Sequence, residues 1–253
     1  APALTRHTGG NPMFLLETLK AMVVQPGAVA ITGAGPLPAV GSVTDLIQRR
    51  ITRLSADAVR LARCAAVTGQ DFSSELASQV LGVRPLDMAD AWNELEAAQV
   101  FRGGAFAHDL IYEAALASVP APIATLLHCQ IARYLELKGH APARVAQHWL
   151  DAGERERGAE ALLTAAKGAG QLLRLREQAE LLERAATLLG ELGHRRQCYE
   201  VLLELQTVVS AAGTAEQRDR VFKALMATVE TAEERHTAML ERVTALINLG
   251  RWD

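Results

Sequence analysis

The chain has 253 residues, 26 basic and 29 acidic side chains for a net charge of −3, and a composition 49% hydrophobic but only 4% aromatic. That apolar content can fill one large core or two smaller ones and excludes a disordered tail, a collagen or a disulfide-stapled mini-protein. A near-neutral balance argues against broad binding to nucleic acid or anionic membranes, which needs a basic excess.

No run reaches the roughly 18 apolar residues that a spanning helix requires. Residues 1–10 lack the charged-then-apolar order of a signal peptide. The first residue is Ala rather than Met, so the chain reads as an excised fragment. Cys64, Cys129 and Cys198 are odd in number, widely spaced and free of any CxxC. They read as small buried hydrophobes in a reducing cytoplasm, and the chain is expected to be cytoplasmic.

In chain order the texture is helical, with apolar residues every three or four positions and Gly or Pro between the runs. Asn11-Pro12 starts a helix over Met13–Val24, where Pro suits the first turn. Gln25–Gly41 holds four Gly and three Pro and reads as a loop. Ser42–Leu54 is a helix capped by Ser42 or Thr44, with Val43, Leu46, Ile47 and Ile51 on one face. Ser55 opens a helix to about Val67 that packs through Ala58, Ala62, Ala65 and Ala66. Phe72–Leu81 follows and stops at Gly82. Pro85–Gln99 then turns Trp92 and Leu95 inward. Val100–Ala107, with apolar residues around Gly103-Gly104, is the best hairpin signal in the chain.

Helices are then expected over His108–Ser118, Pro120–Lys138, Ala141–Ala152, Arg155–Gly170, Leu172–Leu189, Arg195–Ala212, Ala215–Thr231 and Glu233–Leu249. Short links make successive helices antiparallel neighbours. The segment Gln178–Ala186 echoes Gly158–Ala166, but no strict 34-residue period is evident. The ending Leu249-Gly250-Arg251-Trp252 reads as a cut inside a repeat. It predicts an exposed or homotypic apolar stripe of Met239, Leu240, Val243, Leu246 and Ile247.

The fold class expected is therefore all-α: a winged-helix unit with a small β-hairpin, then an α-solenoid of tetratricopeptide-like helix pairs. Residues 1–54 form the end of a preceding subdomain and a linker, 55–107 the winged helix and 108–253 the helical arm.

Catalytic signatures are missing. Gly33-Ala34-Gly35-Pro36 lacks the Lys and hydroxyl of a P-loop, and no GxSxG, HExxH or GxGxxG occurs. The seven histidines are scattered, and Pro142 keeps His140 and His148 off a common helix. No metal site is expected. Cys129 and His128 are adjacent on a helix and point in different directions, so they form no catalytic pair. Glu94 and Glu96 fit a solvated face. No enzyme is expected in this fragment.

DNA binding by the winged helix is disfavoured. Residues 55–107 carry four basic and seven acidic side chains. The third helix, which would enter the major groove, has four acids and no base between Pro85 and Gln99.

Two motifs go beyond texture: His7-Thr8-Gly9-Gly10-Asn11-Pro12-Met13-Phe14-Leu15-Leu16-Glu17 and Phe106-Ala107-His108-Asp109-Leu110-Ile111-Tyr112-Glu113-Ala114-Ala115. With the winged-helix order between them and the helical array after them, they resemble the STAND class of signal-transduction ATPases. The branch resembled is the large bacterial regulators that join an AAA-type ATPase module to tetratricopeptide-like repeats, often with a LuxR-type DNA-binding output domain. The resemblance covers nearly the whole chain.

It implies that Pro12 starts a lid helix and packs near adenine, with Gly10 and Asn11 shaping the turn. It implies that His108 senses the β-phosphate of ADP, an acceptor suited to an imidazole N–H. Asp109 would cap the next helix or orient its neighbour. Relatives usually carry Met or Arg before this His, so Ala107 removes any phosphate contact from that position. The P-loop and the magnesium-binding acid would lie upstream of Ala1. No cofactor is expected in this fragment, and ADP or ATP with Mg in the parent protein.

The function implied is regulatory. The winged helix latches the nucleotide state against the upstream nucleotide-binding domain, and the arm takes a protein partner or small-molecule inducer. Two alternatives stay open: a plain repeat scaffold for protein interaction, and a winged-helix DNA binder.

Overall fold

The computed structural model describes Ile47, Ile51 and residues 53–248. Within them the chain is helical apart from a single two-stranded sheet. The expected helix over Met13–Val24, the loop over Gln25–Gly41 and most of Ser42–Leu54 lie outside the described residues. The chain divides into two compact units, Ala1–Leu127 and His128–Asp253.

In the first unit, α1 spans Ala56–Thr68. Ser55 caps it, its Oγ accepting the Ala58 N–H at 3.2 Å, and Asp57 complements the positive end of the helix. Ala58, Ala62, Ala65 and Ala66 are all buried, so neighbouring backbones approach this face closely. Ser73 caps α2, Ser74–Leu81, by accepting the Leu76 N–H at 3.1 Å. Gly82 closes α2 in the left-handed region at φ 67°, where a side chain would be strained.

Helix α3 covers Ala89–Ala97. A single helix from Pro85 is a reading the structure corrects: Pro85–Met88 is a 3-10 turn, and the α-helix begins only after it. The Arg84–Asp87 ion pair at 2.9 Å spans that tight turn. The hairpin matches expectation. β1 (Phe101–Arg102) and β2 (Ala105–Phe106) pair antiparallel across Gly103-Gly104, and both glycines have positive φ, as a two-residue hairpin turn requires. Helix α4 is Asp109–Ala117.

The core of this unit joins Ile47 and Ile51 to Leu61, Leu76, Leu95, Val100 and Ile111. A run of ring contacts lies against it. Phe72 stacks on Trp92 at 5.9 Å, Trp92 meets Phe101 edge-on at 5.6 Å, and the contacts continue through Phe106 to Tyr112. Leu95 is fully buried and Trp92 half-buried.

Helix α5, Ala121–Leu137, carries the chain into the second unit. There α6 is Pro142–Asp151, α7 Arg155–Gln171, α8 Leu175–Glu191, α9 Arg195–Ala212, α10 Ala215–Thr228 and α11 Ala232–Asn248. Helices α7, α8 and α9 start 20 residues apart. The links keep that spacing, because Gly153, Leu173 and Gly193 all have positive φ. After each, one N–H reaches back to a helix carbonyl: Glu154 to Trp149, Arg174 to Ala169 and His194 to Leu189, each at 2.9 Å. Each of these three links is a Schellman closure.

The buried positions repeat with the same spacing. Leu162, Leu182 and Leu202 form one row, and Ala169, Leu189 and Val209 another. The expected start of α8 at Leu172 is corrected to Leu175, because Leu172–Arg174 supplies this link. At its far end, α11 is held by Glu234. Its carboxylate takes bonds from Arg195 at 3.1 Å and from the Glu230 N–H at 2.8 Å. Those bonds hold its pKa down to about 2.

Candidate functional site

The expected nucleotide-sensing residues fall at two places. Gly10, Asn11 and Pro12 lie outside the described residues. His108 and Asp109 stand at the junction of hairpin and α4. The Ala107 N–H donates to the Val100 carbonyl at 2.9 Å and closes the hairpin. The next residue, His108, is extended at φ −160° and is the cap of α4.

Its Nδ1 accepts the Leu110 N–H at 3.2 Å, and its carbonyl accepts the Ile111 N–H at 2.9 Å. A ring nitrogen that accepts has no proton, so the neutral imidazole carries its N–H on Nε2. The ring is exposed. Asp109 is the first residue of α4 and also exposed, favourably placed against the helix dipole. Capping thus belongs to His108, and one donor remains on its outer edge.

The acidic third helix is more tightly engaged than a solvated face. Glu94 accepts the Ser55 N–H at 2.8 Å and the Ser55 hydroxyl at 2.5 Å. Those two bonds hold the Glu94 carboxyl below its ordinary value. Glu94 thereby ties α3 to the start of α1. Glu96 takes the Trp92 indole N–H at 3.3 Å. The expected solvated reading of both carboxylates is corrected in this respect: Glu94 is half-buried, while Glu96 remains exposed. Neither carries basic character toward a phosphate backbone.

On the helical array, three depressions adjoin along α8. The largest, about 520 Å³, is lined by Leu150, Leu162, Glu180, Arg184, Leu188 and Glu191. Two others, of about 300 and 340 Å³, continue toward α10 past Val208, Val209 and Val221. Glu183 borders all three and pairs with Arg220 at 2.9 Å. Their size suits small ligands or single side chains. On α11, Met239, Leu240, Val243 and Ile247 are exposed, while Leu246 is half-buried.

The expectation of scattered histidines missed one pair. His128 on α5 and His148 on α6 face each other with their Nδ1 atoms 2.8 Å apart. The Asp151 carboxylate lies 3.9 Å from His128. Pro142 does begin a new helix, which separates His140 from His148. No group of three or more His, Cys, Asp or Glu is arranged to hold a metal ion among the described residues. Cys64, Cys129 and Cys198 are free thiols, Cys129 only half-buried. Burial lifts the Cys64 thiol to about 11, so it is inert at neutral pH.

Among the described residues, no single helix is long and apolar enough to cross a membrane. Comparison with known proteins finds no matching family, curated protein or solved structure.

Proposed function

We propose that this chain is the regulatory part of a nucleotide-switched STAND-type ATPase. In this reading residues 55–107 are a winged helix that acts as a nucleotide-state latch. The helices from 108 onward are a tetratricopeptide-like arm that takes a protein partner or inducer. The chain itself is no enzyme; ADP or ATP with Mg belongs to the upstream domain of the parent protein, which acts in the cytoplasm.

One observation carries the reading. The His that follows the three-helix-plus-hairpin unit is exposed, and its cap bond leaves the ring proton on Nε2. A phosphate oxygen needs such a donor, held by a rigid element. His108 is held on both sides, by the closed hairpin before it and by α4 after it. With ADP bound, the latch would stay against the nucleotide-binding domain. A ligand on the arm that prefers the open state would release it.

The test uses the full-length gene product with its upstream P-loop. In His108→Ala, ADP affinity should fall and basal output rise. Unchanged affinity and unchanged output would remove His108 from the latch.

A second reading, a plain protein-interaction scaffold, is favoured by the adjoining depressions along α8. It predicts no P-loop in the gene upstream of residue 1. The DNA-binding alternative is opposed by the acidic residues of α3, and absence of a mobility shift at low salt with micromolar protein would remove it.

A further inference from the structure

We propose that His128 and His148 form a proton-operated clasp, which holds α5 on α6 at neutral pH and opens when the second imidazole takes a proton. The geometry fixes the bookkeeping. Two Nδ1 atoms 2.8 Å apart share a single hydrogen. One ring is therefore the donor, with its Nε2 lone pair outside the bond. The other ring accepts through Nδ1 and keeps its own proton on Nε2.

A first added proton binds the donor ring at Nε2 and leaves the bond intact, now charge-assisted. A second proton has only the acceptor's Nδ1 to bind. It removes the acceptor lone pair and sets two cations face to face, with ring centroids 5.1 Å apart.

The surroundings assign the roles. Asp151, on α6, lies 3.9 Å from His128 Nδ1 and favours a cation on that ring. That carboxylate also takes the Gln147 amide at 3.0 Å. His148 is only 7% exposed, so a charge there would be poorly solvated. His128 is thus the donor and His148 the acceptor.

The other titratable or charged groups are Cys129, Arg133, Tyr134 and Glu136 on α5, and Arg144, one turn before His148, on α6. From α7, Arg157 lies over the ring of the neighbouring Trp149, 4.4 Å from its centre.

The clasp matters because Ile131, Ala132 and Leu135 of α5 are fully buried just beyond it. Burial, partly offset by Asp151, pushes the His128 pKa below its ordinary 6.5. The folded state then binds fewer protons than the unfolded one. Charging His128 therefore begins to cost the folded state stability as pH falls below 6.5, and the clasp itself opens only at the second, more acidic step. The two rings titrate as a coupled pair, in two steps.

The experiment uses this chain. Histidine side-chain ¹⁵N spectra from pH 8 to pH 4.5 are read beside amide exchange of Cys129–Leu135, with Leu181–Leu189 as the internal reference. The expected spectra at neutral pH show one ring with its proton on Nδ1 and one with it on Nε2. The second ring should charge at least about one pH unit below the first, and exchange of Cys129–Leu135 should then accelerate at least about tenfold against the reference. In His148→Gln the acid acceleration should vanish.

Two rings titrating independently at a common pH would overturn the clasp. So would double protonation with an unchanged exchange ratio. Both readouts come from the wild-type chain, so the outcome stands whether or not the variant folds.

Discussion

The two units are specified in different ways. In the first, the short helices α1, α2 and α4 each start at a side-chain cap, from Ser55, Ser73 and His108. Their shared core is edged by aromatic rings. In the second, the long helices α7 to α9 start with no side-chain cap. They rely instead on a repeated link and on rows of Ala, Leu and Val recurring every 20 residues from α7 to α9. Short helices need local instructions because each has few neighbours to bury against. Long helices stacked in series can leave the instruction to packing.

The largest predicted effect comes from breaking a row. Leu182 is buried at the centre of the array between its row-mates Leu162 and Leu202. Leu182→Ala should cost about 2–5 kcal/mol in the second unit, from lost burial plus the cavity left behind. Chemical denaturation followed by exchange should show α7 to α9 losing protection together, while α1 to α4 keep theirs. The first unit should instead respond to its caps. Ser55→Ala removes the α1 cap and the hydroxyl bond to Glu94, while the backbone N–H bond to Glu94 stays; for the cap alone the cost is about 1 kcal/mol. The thermal transition should fall, with the exchange change confined to α1 and α3.

Two substitutions should improve the repeat. Gln206 is 2% exposed and neither its amide nitrogen nor its oxygen has a partner, whereas Ala166 and Ala186 occupy the matching positions. Gln206→Leu removes the unmet polar groups and should stabilise by about 1–2 kcal/mol. Leu173 is the side-chain-bearing residue among three matched links, with φ 56° and 81% exposure. Leu173→Gly relieves left-handed strain and loses little burial. The gain is partly offset by the freer unfolded chain, so about 0.5 kcal/mol should remain. Urea midpoints at constant slope would read both.

Much of the fold was legible in the residues, and the exceptions have physical causes. Gly103-Gly104 with Phe101 before it and Ala105-Phe106 after it has few options besides a tight hairpin, so that element was visible. The break at Pro85–Met88 was hidden because Pro fits the first turn of an α-helix as well as a 3-10 turn. The 20-residue repeat showed only as the echo between Gly158 and Gln178. Its turn residue changes from Gly to Leu and back, and its core residues grow from Ala to Leu. His108 was visible by its place after the hairpin, but its capping role depends on backbone geometry. The His128–His148 contact joins two helices through a link whose geometry sets which faces meet, and no local pattern encodes that.

The central claim is that His108 offers a phosphate-binding N–H over and above its capping duty, and one substitution separates the two roles. Asn is among the best helix caps, so His108→Asn in the full-length gene product should keep the melting temperature of the wild type. Titration calorimetry with ADP should then show affinity weakened at least about tenfold. Wild-type ADP affinity in His108→Asn, with the fold intact, would contradict the account.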